Sequence, residues 1–159
     1  MTPIILLRPL LLSQPRNFKT VKGSYILLVQ LPEKQTITVG SLKDIHFPSG
    51  YYAYVGSAMG GIKSRLSHHC KQSKRPHWHI DYLLQKASIN GVILCETRDR
   101  VECAIAQALS HQFDSIPRFG CSDCRCQSHL FFATKEMKSE VIAILNRLGM
   151  QPRLMQDLN

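Results

Sequence analysis

Two runs of apolar, aromatic and β-branched residues constrain the fold of this chain more than any other feature. They are GSYILLVQL (Gly23–Leu31) and YYAYVGSA (residues 51–58). Runs of this length and composition, bounded by glycine or proline, predict buried β-strands. Because these early strands are adjacent in sequence, they favour a sheet that is largely antiparallel.

The rest of the chain predicts further strands alternating with helices. These are a short strand at 36–40, a loop at 41–50, helices at 62–72, 81–87, 100–113 and 135–149, and strands at 89–96 and 129–133. The first helix should turn Ile62, Leu66 and Cys70 inward. The third should bury a side made of Val101, Ile105, Ala108, Leu109 and Gln112. This order predicts an α+β fold, with a small, mostly antiparallel sheet flanked by helices.

With 159 residues the chain is long enough for one domain with a real core. We expect an extension at 1–20, a single domain at 21–150 and a tail at 151–159. The extension is apolar, but Arg8 and Pro9 interrupt it and it is too short to span a bilayer. We therefore expect a cytoplasmic protein whose six cysteines are free or bind metal rather than forming disulfides.

The positive charge of the chain points to a polyanionic partner. The formal net charge is +9, and no carboxylate occurs between residues 45 and 80. Without a basic amphipathic helix or lipidation signal, nucleic acid is favoured over a membrane. Trp78 could stack on a base or simply pack in the core. The candidates for neutralising phosphates, or alternatively for a merely solubilising surface, are Lys63, Lys71, Lys74 and Arg75.

Candidate catalytic side chains fall on the same segment. Arg65 and His69 are four residues apart and so share one face of the predicted helix, while Tyr54 lies on the second strand. Phosphodiester hydrolysis needs a cation for the phosphate oxygens, a base for water, and an acid or metal for the leaving oxygen. The ordinary alternatives are a solvated helix face and strand tyrosines that only cover the core.

The order of motifs resembles that of the GIY-YIG nuclease superfamily. GSY at residues 23–25 and YVG at residues 54–56 look like its two signature triplets. GGIKSRLSHH is similar to its first helix, where an arginine and a later histidine match Arg65 and His69. RVECAIAQAL matches the helix opened by a metal-binding glutamate, here Glu102. From the residues alone, Glu102 could instead belong to a capping box with Asp99.

A narrower resemblance covers residues 22–132. GYYAYVGSAMGG, HWHIDYLL and FGCSDCRCQSHLFF are similar to a branch of short, Uri-type GIY-YIG-like proteins of archaea and bacteria, which are predicted endonucleases sometimes joined to DNA-repair domains. The resemblance implies cleavage of DNA, with one Mg²⁺ or Mn²⁺ held by Glu102 and water. Tyr25 or Tyr54 would orient or deprotonate the attacking water. Arg65 would clamp the phosphate, and His69 would assist proton transfer.

Cysteine and histidine residues outside the superfamily pattern form a second group. Four of them lie within nine residues, and an H-x-H pair precedes them: Cys121, Cys124, Cys126, His129, His77 and His79. A zinc site would combine Cys124, Cys126 or His129 with His77 or His79, although four crowded ligands rarely wrap one ion alone. Alternatively, these residues shape the loop, or lie near the cleft and touch substrate. The alternatives to a nuclease are therefore a catalytically inactive nucleic-acid-binding module and a zinc-containing interaction domain.

Overall fold

The computed structural model describes residues 21–71 and 75–155. The strands are β1 (Gly23–Leu31), β2 (Gln35–Thr38), β3 (Asp44–Phe47), β4 (Gly50–Ala58), β5 (Ser88–Glu96), β6 (Asp114–Ser115), β7 (Leu130–Ala133) and β8 (Arg153–Leu154). The helices are α1 (Ile62–His69), α2 (His79–Leu84), α3 (Glu102–Ser110) and α4 (Lys138–Arg147). The predicted extension at 1–20 and Lys74 lie outside the described residues.

One six-stranded sheet organises the domain, in the order β6-β7-β4-β1-β5-β8. The strands β1 and β4 pair antiparallel along their whole length, from Gly23 opposite Ala58 to Leu31 opposite Gly50. Every other pairing in this sheet is antiparallel as well. The two apolar runs are thus strands, as predicted, and the structure places them at the centre of the sheet.

Helices cover both faces of the sheet, because alternate side chains of a strand point to opposite sides. On the first face, Tyr25 and Leu27 of β1 join one core with residues of α1 and α2. On the second face, Ile26 and Leu28 join another core with residues of α3 and α4. The observed architecture confirms the α+β fold class, with an antiparallel sheet flanked by helices.

Two sequence expectations are corrected. The segment 41–50 was expected to be a loop, but it contains β3, which pairs with β2 in a separate two-stranded sheet. Its alternation of Ile45 and Phe47 places Phe47 in the first core. Gln112 was expected on the buried side of α3, but that helix ends at Ser110 and Gln112 is exposed. Ala106 is buried instead.

The described chain continues past the region of family resemblance. Residues Arg153–Leu154, within the predicted tail, form β8 at the edge of the sheet beside β5. Met155 is buried in the first core. Among the described residues, no helix combines the length and apolar character needed to cross a membrane.

Candidate active site

The glycine of the YVG triplet makes room for the tyrosine of the GSY triplet. In the β1–β4 register Tyr25 lies directly opposite Gly56. A Cβ atom at Gly56 would lie only 2.4 Å from Cζ of Tyr25, so the phenol ring occupies the space that any side chain there would need. Tyr54, two residues earlier on β4, points to the same face. The two triplets therefore act as one packing unit across two strands.

Four side chains come together where α1 crosses the first face of the sheet. We name this group the phenol centre; it consists of Tyr25, Tyr54, Arg65 and His69. The Tyr25 hydroxyl and Nε2 of His69 form a hydrogen bond of 2.6 Å. The Tyr54 and His69 ring centroids are 6.4 Å apart. Tyr25 and His69 are each only 1% exposed, and Tyr54 is 7% exposed. The histidine predicted to assist proton transfer thus contacts one of the two predicted phenols directly.

Arg65 is held beside this centre by the single tryptophan. Its Cζ atom lies 4.3 Å from the centroid of the Trp78 ring, a cation–π contact. The Trp78 ring also packs edge-on against His68 at 4.6 Å, and it is partly buried against the first core. Trp78 therefore has a packing role, which the sequence left open beside base stacking. The contact orients the guanidinium without neutralising its charge.

Asp81, which the sequence analysis did not select, is a buried carboxylate that lies against α1. Asp81 is fully buried, and its Oδ2 accepts hydrogen bonds from the backbone N–H groups of His77 and Trp78. The same oxygen lies 3.0 Å from Nε2 of His68, and Oδ1 lies 4.0 Å from Nδ1 of His69. The Asp81 carboxylate thus accepts hydrogen bonds from the backbone at the start of α2 and lies close to two histidines of α1. The signal available in the sequence was that Asp81 is the first acid after the carboxylate-free stretch.

The environment keeps both phenols protonated. Burial raises the pKa of Tyr25 well above its usual value, and the charges of Tyr54, Asp81 and Glu102 raise it further, while Arg65 lowers it. Burial likewise raises the pKa of Tyr54, again opposed by Arg65. Asp81, Asp123 and Glu102 add to the rise at Tyr54. A phenolate here would need more positive charge than Arg65 alone supplies.

Glu102 approaches the phenol centre from another element. It is the first residue of α3, a helix that packs on the second face, yet its charge acts on both phenols. Because Val101 precedes the helix as its cap, the alternative of a capping box with Asp99 does not hold. Oε2 of Glu102 is buried and has no hydrogen-bond partner within the described ranges 21–71 and 75–155. A buried carboxylate oxygen without a hydrogen-bond partner is a suitable ligand for a cation, which would offset the cost of its burial.

The predicted phosphate-binding residues lie around α1. Lys63 is partly exposed on α1, Lys71 is exposed just after it, and Arg75 is exposed before α2. Three of the four predicted phosphate-binding residues therefore lie on α1, which carries Arg65, or in the segment that follows it. The fourth, Lys74, falls outside the described residues. Their positions are compatible with a basic rim, since each side chain reaches solvent.

A second group of side chains, named here the cysteine cluster, lies beside the start of α3. It consists of ligand atoms all within 4.8 Å of one another, from Cys103, Cys124, Cys126 and His129. Sγ of Cys124 is 3.6 Å and Sγ of Cys103 is 4.0 Å from Nε2 of His129. Three sulfurs and one imidazole could hold a metal, and this donor set favours a zinc-like ion over Mg²⁺ or Mn²⁺.

The cysteine cluster differs from the combination expected from sequence. The structure brings neither His77 nor His79 into it: Nδ1 of His79 accepts a 2.8 Å hydrogen bond from the backbone of Gly120, and His77 packs on Trp78. Cys121, the first residue of the C-x₂-C-x-C run, contributes a backbone contact to Cys124 rather than a ligand. Cys103 was missed because it is far away in sequence.

The loop before β7 connects the two groups. Phe119 packs edge-on against Tyr54 with centroids 6.3 Å apart. Gly120 follows with a φ of +73°, and a Cβ atom there would lie 3.0 Å from Cε1 of Tyr54 and 3.2 Å from Cβ of His129. This position therefore requires glycine both for its backbone conformation and for the close approach.

Together the fold and these side chains define a small α+β domain that has a buried tyrosine–histidine pair on its sheet and a possible metal centre alongside. The chain belongs to the family described as "Domain of unknown function DUF123", whose profile matches residues 24–150. No curated protein and no solved structure matches the chain significantly.

Proposed function

We propose that the protein is a metal-dependent endonuclease of the GIY-YIG type that hydrolyses phosphodiester bonds in DNA. The observation that carries the proposal is the convergence of two phenols, a guanidinium and an imidazole with the charge of Glu102. These five side chains come from β1, β4, α1 and α3, and core packing alone does not require this chemical combination. Branched or damaged DNA is the proposed substrate.

Arg65 is the group that binds the scissile phosphate. Its planar guanidinium can donate two parallel hydrogen bonds to the non-bridging oxygens. The Trp78 ring beneath it limits its rotamers, so the cost of ordering it on binding is reduced. Charge that develops on the phosphate in the transition state therefore meets a donor already in place.

Tyr54 or Tyr25 orients the attacking water, and Tyr25 takes the proton of that water as it passes its own phenolic proton to His69. Because burial keeps both phenols neutral, deprotonation depends on the positive charge that gathers at the site. His69 receives a proton from Tyr25 along their short hydrogen bond, or returns one to it. The pair can therefore move a proton between solvent-shielded groups without separating charge over a long distance.

Glu102 is the proposed ligand of one Mg²⁺ or Mn²⁺. Its buried Oε2 fits this role, since a hard divalent cation prefers a carboxylate and retains several of its waters. Such an ion, when bound, would supply Lewis-acid stabilisation of the leaving oxygen. Lys63, Lys71 and Arg75 would add binding to flanking phosphates, with an affinity that falls steeply as salt rises.

The test is cleavage of a panel of single-stranded, duplex, flap and four-way DNA with and without Mg²⁺ or Mn²⁺. Glu102→Gln should reduce the single-turnover rate by more than about a hundredfold. The reason is that a bound metal ion stabilises the charge of the transition state by several kcal/mol. DNA binding should stay near that of the wild type. Glu140→Gln is the matched control, since Glu140 is an exposed glutamate in the first turn of the neighbouring helix α4.

The second candidate is a nucleic-acid-binding module without catalysis. Its specific support is the deep burial of the phenols, with Tyr25 only 1% exposed. It predicts salt-sensitive DNA binding and no cleavage of any substrate with either metal. Cleavage by Glu102→Gln at the wild-type rate would refute the assignment of Glu102, and metal-independent binding alone would favour this second candidate.

A further inference from the structure

We propose that the cysteine cluster is a closed zinc site whose ligands are Cys103, Cys124, Cys126 and His129. The ion would have a structural role, joining the first turn of α3 to the loop that precedes β7. Such a site is separate from the Mg²⁺ or Mn²⁺ proposed at Glu102, because its donors are sulfur and nitrogen rather than oxygen.

The distances fit a tetrahedral ion. With Zn–S near 2.3 Å and Zn–N near 2.0 Å, ligand atoms at tetrahedral angles are about 3.6–3.8 Å apart. The separation of Cys124 Sγ from His129 Nε2 is 3.6 Å, and that of Cys103 Sγ from the same nitrogen is 4.0 Å. No pair in the cluster exceeds 4.8 Å. Changes of no more than about 1 Å in these separations would therefore complete the site.

The histidine is already oriented for this role. His129 is buried just before β7, where its backbone accepts a hydrogen bond from Val55 N–H. Nε2 of its ring faces the sulfurs of Cys103 and Cys124. The strand pairing thus fixes the backbone of His129 while the ring nitrogen points into the cluster.

The ligand spacing matches a site built by tertiary structure. Cys124 and Cys126 come from a C-x-C turn and His129 follows three residues later, so the loop supplies three ligands. The fourth, Cys103, lies on α3, more than twenty residues earlier. Structural zinc sites characteristically combine a local group of ligands with distant ones and leave no open position. Cys121, although in the same run, is outside the group.

Disulfide formation is the competing chemistry for three neighbouring thiols. All six cysteines are free in the structure. A disulfide would use two of the sulfurs and leave the third beside His129 without a role, whereas one ion uses all four donors. Binding zinc requires the three thiols to lose protons, which are released to solvent as the Zn–S bonds form.

The position of Cys103 gives the ion a consequence for Glu102. The two residues are adjacent in the first turn of α3, so fixing Cys103 also fixes the backbone that carries Glu102. This consequence rests on the proposed function: loss of zinc would lower cleavage by moving Glu102, which is a positioning effect. The zinc site itself does not depend on it.

The experiment is metal analysis of the full chain purified without added metal or chelator, and of protein refilled with zinc alone. We expect about one zinc per chain. Cys124→Ser and Cys103→Ala should lose that zinc, while Cys121→Ala, the matched control from the same loop, should keep it. Cobalt loading of the wild type should give the visible absorption of a tetrahedral ion and thiolate-to-cobalt charge transfer.

Wild-type protein that neither contains nor takes up stoichiometric zinc would overturn the proposal, as would zinc retained in both ligand variants. Should the variants fail to fold, the wild type still decides: zinc should protect three cysteines from thiol reagents, and unchanged reactivity contradicts the site. A zinc-loaded protein that cuts no DNA would refute the nuclease proposal alone. Protein that neither contains nor takes up zinc, yet cuts DNA when Mg²⁺ is added, would refute the zinc site alone.

Discussion

The phenol centre and the cysteine cluster are assembled by different means. The phenol centre is fixed by strand register and by direct contacts, such as the Tyr25–His69 hydrogen bond and the cation–π contact of Arg65. The cysteine cluster consists of donors brought close together, with contacts of 3.6 Å or more between sulfur and nitrogen. The first needs only the fold, whereas the members of the second would be joined by the zinc ion proposed for it.

This difference predicts which condition disturbs each centre. Packing and protonation govern the phenol centre, because its atoms are buried in the first core. Metal availability governs the cysteine cluster, because thiols alone contribute little to holding α3 against a loop. The cysteine cluster should therefore respond most strongly to chelators, and the phenol centre to added volume and to alkaline pH.

Chelation should produce the largest effect, and mainly at the cysteine cluster. At a free zinc concentration about a thousandfold above its Kd, bound zinc contributes about 4 kcal/mol to the free energy of unfolding. Urea unfolding of the wild type, with zinc and with chelator, measures this difference. Hydrogen exchange should show faster exchange in α3 after chelation while β1 stays protected. Equal stability under both conditions would remove the distinction between the centres.

Added volume should damage the phenol centre. Gly56→Ala places a methyl group within 2.4 Å of the Tyr25 ring, so we expect the free energy of unfolding to fall by about 1–3 kcal/mol. The control is Gly60→Ala, because a Cβ there has no atom within 4 Å and the change should stay within about 0.5 kcal/mol. Denaturant unfolding of both variants tests this, and similar losses in the two would contradict the packing argument.

Alkaline pH should have the smallest effect, again at the phenol centre. The pKa of Tyr25 is raised in the folded state, so above about pH 10 the unfolded chain loses a proton that the folded chain retains. The free energy of unfolding then falls with pH, by about 1.4 kcal/mol per unit for each such phenol, and the contribution is fully present below pH 10. Tyr25→Phe should show a shallower decline; an unchanged slope would argue against the raised pKa.

The phenol centre was predicted from the resemblance of its motifs to the GIY-YIG triplets and first helix, and strand and helix periodicity placed each member on its element. Tyr25 and Tyr54 lie on two strong strands, and the spacing of Arg65 and His69 puts both on one face of α1. The orientation of the tyrosine ring over Gly56 follows from pairing register, which the two triplets define. These are local signals combined with a single long-range pairing.

The cysteine cluster and Asp81 were not accessible in the same way. Cys103 joins the cluster only because the loop before β7 folds back onto α3, and no periodic pattern predicts that contact. No sequence pattern distinguishes Asp81 from other acidic residues at the start of a helix. Its burial depends on how α2 packs against α1. The strand β3 was missed because it is only four residues long and only one of its side chains is buried.

The absence of a side chain at Gly120 lets one loop approach both centres. A Cβ atom at this position would lie 3.0 Å from the Tyr54 ring and 3.2 Å from Cβ of His129, so the loop passes between these two side chains with room only for glycine. We expect a displacement of the loop to either side to press on the side chain that lies there. Gly120 is thus the position through which a change at one centre would reach the other.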